Sequence, residues 1–493
     1  MATHPHRWSA LAVVSLAQLM IALDATVMNV ALPSVQHALG LSDGDRQWVI
    51  TAYTLAFGGL LLLGGRLTDR LGQARAFLAG LAGFAAASAA GGLATGLVPL
   101  ALARAAQGAS AALLAPSALA LVSVTFTAPR DRAKAFALFG AIAGSGGAVG
   151  LLLGGVLVGQ LGWRACLFVT VPVAVVAALG TRYLPSGPPF RPRMAPGGPG
   201  AGLDPPGVGL DRPGAGSDPP GAGLDLPGAA LVTAGLAGLV AGCSGAAGQG
   251  WASGWTLGPL GAGLALIALF GWCEARAARP LLPPRLLADR ARVGACLAVA
   301  FAVAGMLGVF LFLSYYLQVV LGYSPVRTGL AFLPLSLAVF GSAQLVAARL
   351  LPRCPARALI VPGLLAAAAA MGLLTRLTPE SGYASLVLPA EILLGVGLGC
   401  VFTPAISSAT ARVDRADAGI AAAVVNTAQQ VGGSVGLALL NTVAAGAAAG
   451  YPAARTVALV HGYTTAAAVA AGLLLAGAAL AAFLITTSTG GNP

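Results

Sequence analysis

Ionisable side chains are scarce in this 493-residue sequence: Asp, Glu, Lys and Arg together make up 9% of it, against about 25% in soluble globular chains. Lysine occurs once, beside 26 arginines. Too few polar residues remain to cover the faces of buried helices, which excludes a large soluble enzyme. The six cysteines, Cys166, Cys243, Cys273, Cys296, Cys354 and Cys400, are scattered without metal-ligand spacing and read as small buried hydrophobes. A G-x(4)-G-K-[ST] phosphate loop is missing, so ATP is not expected as a direct energy source. No filter sequence or repeated pore loop suggests a channel. The formal charge of +12 would suit a nucleic-acid partner if taken alone, but its placement follows a different rule.

What the sequence has is apolar length. Hydrophobic residues make up 57% of it and the mean hydropathy is +0.86; runs of about 20 such residues cross a bilayer as helices. Fourteen spans are predicted, at 11–34, 48–65, 76–95, 99–123, 135–158, 164–181, 227–247, 257–273, 294–319, 328–348, 358–375, 382–404, 418–440 and 462–484. With both ends on one side, the loops on that side hold 21 of the 27 basic residues. The opposite loops hold only Arg46, Arg164, Arg327, Arg376 and Arg455, and Arg104 lies within a helix. The positive-inside rule then places both termini in the cytoplasm. A missed span would scramble this partition, so it supports the count as well as the orientation. The first apolar segment has no clean small-x-small cleavage site and reads as a retained first helix. The arginine-for-lysine bias, with abundant Ala and Gly, points to a high-GC bacterial genome and so to a bacterial cell membrane.

Four regions follow. Residues 1–182 form a six-helix bundle. Residues 183–226, dominated by Pro and Gly with recurring GAGLD-like pieces, cannot bury a core and read as a disordered cytoplasmic linker. Residues 227–293 add two helices, and 294–493 form a second six-helix bundle. This 6+2+6 layout of an all-α membrane protein suits a carrier with two similar halves.

The informative residues are the polar ones inside spans. Asp24 sits within LAVVSLAQLMIALDATVMNVAL; a carboxylate near the centre of a membrane helix costs about 2.5–3.5 kcal/mol, so it needs a partner or a task. Asn29 lies about 140° around the helix from it, and Thr26 is another polar position between them. Arg104, in LARAAQGASAALLAPSALAL with Gln107, is close to the outer end of its span; it needs an acid near a cavity mouth or must reach water. Glu391 is the second intramembrane acid, a candidate protonation site or seat for positively charged cargo. Asn426, Gln429 and Gln430 form a polar group on an apolar helix, lining a route or holding helices together.

These segments resemble the major facilitator superfamily, specifically its fourteen-helix drug:proton antiporter branch of multidrug and antibiotic exporters. LDATVMNVALPSV at 23–35 is similar to that branch's first-helix pattern L-D-x-T-x-x-N-V-A-L-P. GGRLTDRLGQARAF at 64–77 resembles the superfamily's G-x-L-x-D-R-x-G-R-K/R loop through Gly65, Asp69, Arg70, Gly72 and Arg75, with Gln73 in place of the usual first basic residue. Glycines there permit a tight turn, and Asp69 opposite arginines suggests a gating latch. Arg104, followed by Gln107 and Gly108, matches the branch's R-x-x-Q-G motif. GAIAGSGGAVGLLLGGVLVGQLGWR at 140–164 resembles the antiporter motif through Gly144, Gly150, Gly154 and Gly155, but Leu151 stands where proline is usual. NTAQQVGGSVGLALLNT at 426–442 is also similar to the branch.

The resemblance implies a proton-coupled efflux pump for amphiphilic drugs or antibiotics, working by alternating access. Asp24, Glu391 and Arg104 would couple to protons, with Asp24 either facing a central cavity or serving as a structural acid bonded to a neighbouring helix. Cofactors, nucleic acid and enzymatic activity are not expected. The partners implied are small amphiphilic molecules, protons and lipid, and the protein is expected to be a monomer. The alternative is a carrier of the same fold for a metabolite or nutrient.

Overall fold

The computed structural model describes residues 7–42, 45–126, 129–184, 226–276, 288–351, 353–410, 418–452 and 454–485. The predicted linker, apart from its first two residues and Leu226, and the mixed-charge run Arg412, Asp414, Arg415 and Asp417 lie outside them. The described residues are helical throughout: α1 (Arg7–Leu39), α2 (Trp48–Leu71), α3 (Gln73–Gly92), α4 (Leu97–Thr125), α5 (Pro129–Leu161), α6 (Arg164–Tyr183), α7 (Leu226–Gln249), α8 (Gly254–Arg276), α9 (Arg290–Val320), α10 (Pro325–Leu350), α11 (Ala356–Leu374), α12 (Leu388–Thr410), α13 (Ala418–Ala449) and α14 (Arg455–Leu484). Among the described residues, eleven helices are long and apolar enough to cross a membrane; α2, α5 and α7 hold shorter apolar stretches at 48–61, 149–161 and 227–243.

Helix ends extend past the predicted spans because the backbone keeps its own hydrogen bonds beyond the apolar stretch. α1, at 33 residues, is about 50 Å long, well over the ~30 Å hydrocarbon layer. α2 passes into α3 through Gly72 alone, at φ +82°, a left-handed conformation that only glycine adopts freely. α10 is broken at Phe332, just ahead of Pro334, whose nitrogen has no proton for the helical ladder.

In the first bundle α1 packs on α5, and α4 on both α2 and α3; in the second, α9 packs on α13 and α14, and α11 on α12 and α14. Small residues set these distances. A side chain at Gly64 would strike the Ala112 carbonyl, and one at Gly108 the Tyr53 carbonyl, so α2 and α4 lie backbone against backbone. α9 is buried without a break from Leu307 to Tyr315, enclosed on all sides rather than along one stripe. The α7–α8 hairpin seats α7 against both α2 and α13, and Thr442 Oγ1 donates to the Cys243 carbonyl at 2.7 Å. α8 lies outermost, with Trp255 and Trp272 exposed. Replacing Gly108 by Val is expected to destabilise the first bundle by at least about 1–3 kcal/mol; an unchanged unfolding midpoint in detergent would refute this account of the α2–α4 contact.

Candidate functional site

Arg104 and Gln107 stand three residues apart on α4 and so share a face. That face meets Asp24 of α1. Arg104 Nη1 donates to Asp24 Oδ2 at 2.7 Å and to Gln107 Oε1 at 3.0 Å, and Nε donates to the Val49 carbonyl of α2 at 2.9 Å. Gln107 Nε2 donates to Asp24 Oδ1 at 3.0 Å and to Ser88 Oγ of α3 at 2.7 Å. The Arg104 guanidinium also lies 4.6 Å from the centroid of the Tyr53 ring. Both side chains of the ion pair are buried, Arg104 at 1% exposure and Asp24 at none. Low dielectric makes such a pair strong and makes either partner alone very costly. Arg104 therefore finds its acid in the bundle interior, on a helix 80 residues away.

Beside this network lies a cavity of about 620 Å³ between the bundles, within the usual 300–1,000 Å³ range for small-molecule sites. Its wall takes Gln18, Ile21, Ala22 and Ala25 from α1, Ile50, Tyr53, Thr54, Phe57 and Leu61 from α2, and Arg104, Ala115, Pro116 and Leu119 from α4. Phe139 comes from α5, Val303, Met306 and Leu307 from α9, Val339 from α10, Phe402 and Ile406 from α12, and Asn426, Gln429 and Gln430 from α13. These positions place the cavity at the centre and toward the end of α1 that begins with Arg7.

At the Leu39 end of α1 the bundles meet. Gln318 Nε2 donates to the Val30 carbonyl at 3.1 Å, and Thr54 and Ser434 share a hydrogen bond of 2.7 Å. Side chains at Gly150 and Gly154 would run into Thr26 and Val27 of α1, and one at Gly155 into Pro325 and Val326 of α10. The α5 glycines thus form a thin seam without the proline kink; Gly144 lies on the same helix. Arg46, placed by sequence in an exposed loop, is 2% exposed: its guanidinium lies 4.0 Å from the Tyr315 ring centroid of α9, and its Nε donates to Asn441 Oδ1 of α13 at 3.4 Å.

The other predicted site residues distribute unevenly. Asp24 does not line the cavity; Arg104 stands between. Thr26 bonds back to the Ala22 and Leu23 carbonyls, and Asn29 Nδ2 to that of Ala25; neither is on the cavity lining. Glu391 is fully buried in the second bundle, away from the cavity, 3.2 Å from the Tyr383 hydroxyl. That hydroxyl donates to the Ala331 carbonyl at 2.7 Å. Gly65 meets no neighbour, Arg70 and Arg75 are exposed, and Gly72 makes the turn; the Asp69 side chain lies outside the described residues. Sequence reasoning missed Tyr53, Ser88, Thr54, Ser434 and the Arg46 contacts. Ser88 and Ser434 carried a signal as polar residues in apolar helices, whereas Tyr53 carried none.

Residues 14–437 match the family model for the Major Facilitator Superfamily. The chain belongs to that superfamily. It is 50% identical to the puromycin resistance protein pur8 of Streptomyces alboniger, over 98% of this chain and 92% of the relative, and 39% identical to the cephamycin export protein CmcT of Amycolatopsis lactamdurans, over 90% and 86%. Its fold is similar to the crystal structure of a bacterial homolog to human lysosomal transporter Spinster, at TM-score 0.67 and 16% identity, covering 98% of this chain and 97% of that one. The protein is a multi-pass membrane transporter, not an enzyme.

Truncating one partner of the buried pair, as in Arg104→Leu, is expected to cost about 3–5 kcal/mol by stranding the Asp24 charge. Combining it with Asp24→Leu should recover much of that loss. Unfolding midpoints of the four forms measure the coupling, and strictly additive losses would show that the pair is not interacting.

Proposed function

We propose that this transporter exports amphiphilic drugs or antibiotics in exchange for protons, by alternating access to the central cavity. One observation carries the reading: Arg104 lines the cavity while its ion-pair partner Asp24 lies directly behind it, so a proton on Asp24 would remove half of the pair. Relatives named for puromycin resistance and cephamycin export favour efflux over uptake of a nutrient.

In this reading α2, α5 and α7 also cross the bilayer, giving fourteen spans in the 6+2+6 layout, with the bundles at 1–182 and 294–493, the linker at 183–226 and the added helices at 227–293. Both termini are cytoplasmic, so the cavity faces the cytoplasm. Cargo enters there. The contacts of Gln318, Thr54, Arg46 and Gly155 then separate while the Arg7 ends close, with the turn around Asp69 and Gly72 proposed as the latch of the second state. Each proton moving inward releases about 2.3 kcal/mol per 100 mV of membrane potential. Protonation of Asp24 releases Arg104 from its anchor, so the walls of the cavity and the charge state change together. Glu391 is the second proposed protonation site, acting within the second bundle rather than on cargo. The working unit in this reading is a monomer driven by the proton gradient without a cofactor.

Asp24→Asn is expected to lower efflux driven by a pH gradient at least about 100-fold in everted vesicles while gradient-independent counterflow of cargo persists. Wild-type protein should release protons when cargo is added, and the variant should not. Retained gradient-driven transport by the variant would remove Asp24 from the coupling.

A further inference from the structure

The walls of the cavity differ in charge from what the two intramembrane acids suggest. Among the described residues, Arg104 is the one charged side chain that lines it; the rest of the wall is apolar or neutral, with aromatic rings at Tyr53, Phe57, Phe139 and Phe402. Asp24 is fully buried, with both carboxylate oxygens taken by Arg104 and Gln107. Glu391 is bonded within the second bundle and does not reach the cavity.

Arg104 itself is not fully spent. Its hydrogen bonds use Nε and Nη1 only, so the two protons of Nη2 have no acceptor among the described residues, although the side chain is 99% buried. The hydroxyl of Tyr53, whose ring lies against the same guanidinium, is likewise buried without a hydrogen-bond partner. Both residues line the cavity, whose other polar side chains among the described residues, such as Gln429 and Gln430, are uncharged. Buried donors left unpaired are costly, and a ligand that supplies the acceptor recovers that cost.

Building on the proposal of proton-coupled efflux, we infer that the cargo is an aromatic amphiphile that presents a hydrogen-bond acceptor or anionic oxygen to Arg104 Nη2 and Tyr53, and that organic cations are rejected. A cation in this cavity would meet a guanidinium and no carboxylate. The aromatic ring best placed to hold it, Tyr53, is already covered by Arg104.

The test uses two xanthene dyes of similar size, fluorescein, which carries carboxylate and phenolate oxygens, and rhodamine 6G, an esterified cation. Fluorescence anisotropy with the purified wild-type protein is expected to give at least about tenfold tighter binding of fluorescein. Gln429→Glu, which adds a carboxylate to the wall, should improve rhodamine 6G binding by a similar factor. Equal or tighter binding of rhodamine 6G to the wild type, or no binding of either dye, overturns the inference without recourse to a variant. Transport of both dyes in proteoliposomes separates this inference from the function it rests on. Rhodamine 6G expelled on a proton gradient would keep the exporter and sink the charge preference. Fluorescein bound tightly but never moved by the gradient would keep the preference and sink proton-coupled efflux.

Discussion

Arg104 is an ion that lipid cannot solvate, held where the structure offers one carboxylate, one carboxamide and one backbone carbonyl. Each of these comes with a constraint on the fold. Asp24 ties α4 to α1, the Val49 carbonyl ties it to α2, and Gln107 carries the network on to Ser88 of α3. Four helices of the first bundle are thereby positioned by a single guanidinium. Because removing one partner strands the other in low dielectric, the contact depends on both of its members.

That pair reaches the cavity only because the helices around it approach so closely. The carbonyls of Tyr53 and Ala112 occupy the places where side chains at Gly108 and Gly64 would stand. With α2 and α4 pressed together, Tyr53 lies over Arg104 and both border the central space. The α5 glycines do the same across the bundle interface, letting α5 meet α1 and α10 at the Leu39 end. Dispersion between small residues and a few hydrogen bonds hold that end shut. Contacts of this kind are individually weak, which suits the separation of the bundles proposed above.

The position of α7 gives the added hairpin a defined place. It touches α2 of the first bundle and α13 of the second, and the Thr442 hydroxyl fixes it to α13 at 2.7 Å. α8 touches mainly α7 and presents tryptophans outward, as expected of a helix whose other side is lipid.

Hydropathy and the placement of arginines were legible along the chain, because bilayer thickness and the cost of buried charge act on each segment separately. They gave helices in nearly the right places and a short list of polar residues that needed an explanation. Motif likeness marked Asp24, Arg104, Gln107 and the α5 glycines. Pairing was decided only by tertiary structure. Asp24 and Arg104 are far apart in sequence, and which acid an arginine meets depends on how three helices rotate against one another. Arg46, which the sequence places in a loop, is packed on Tyr315, since a residue just ahead of a helix start can fold into an interface that no local pattern announces. Thr26 and Asn29, polar positions of the first span on the sequence, bond to carbonyls of their own helix. The sequence determined which groups would be expensive to bury, whereas the packing of helices determined which of them would compensate one another and which would face the cavity.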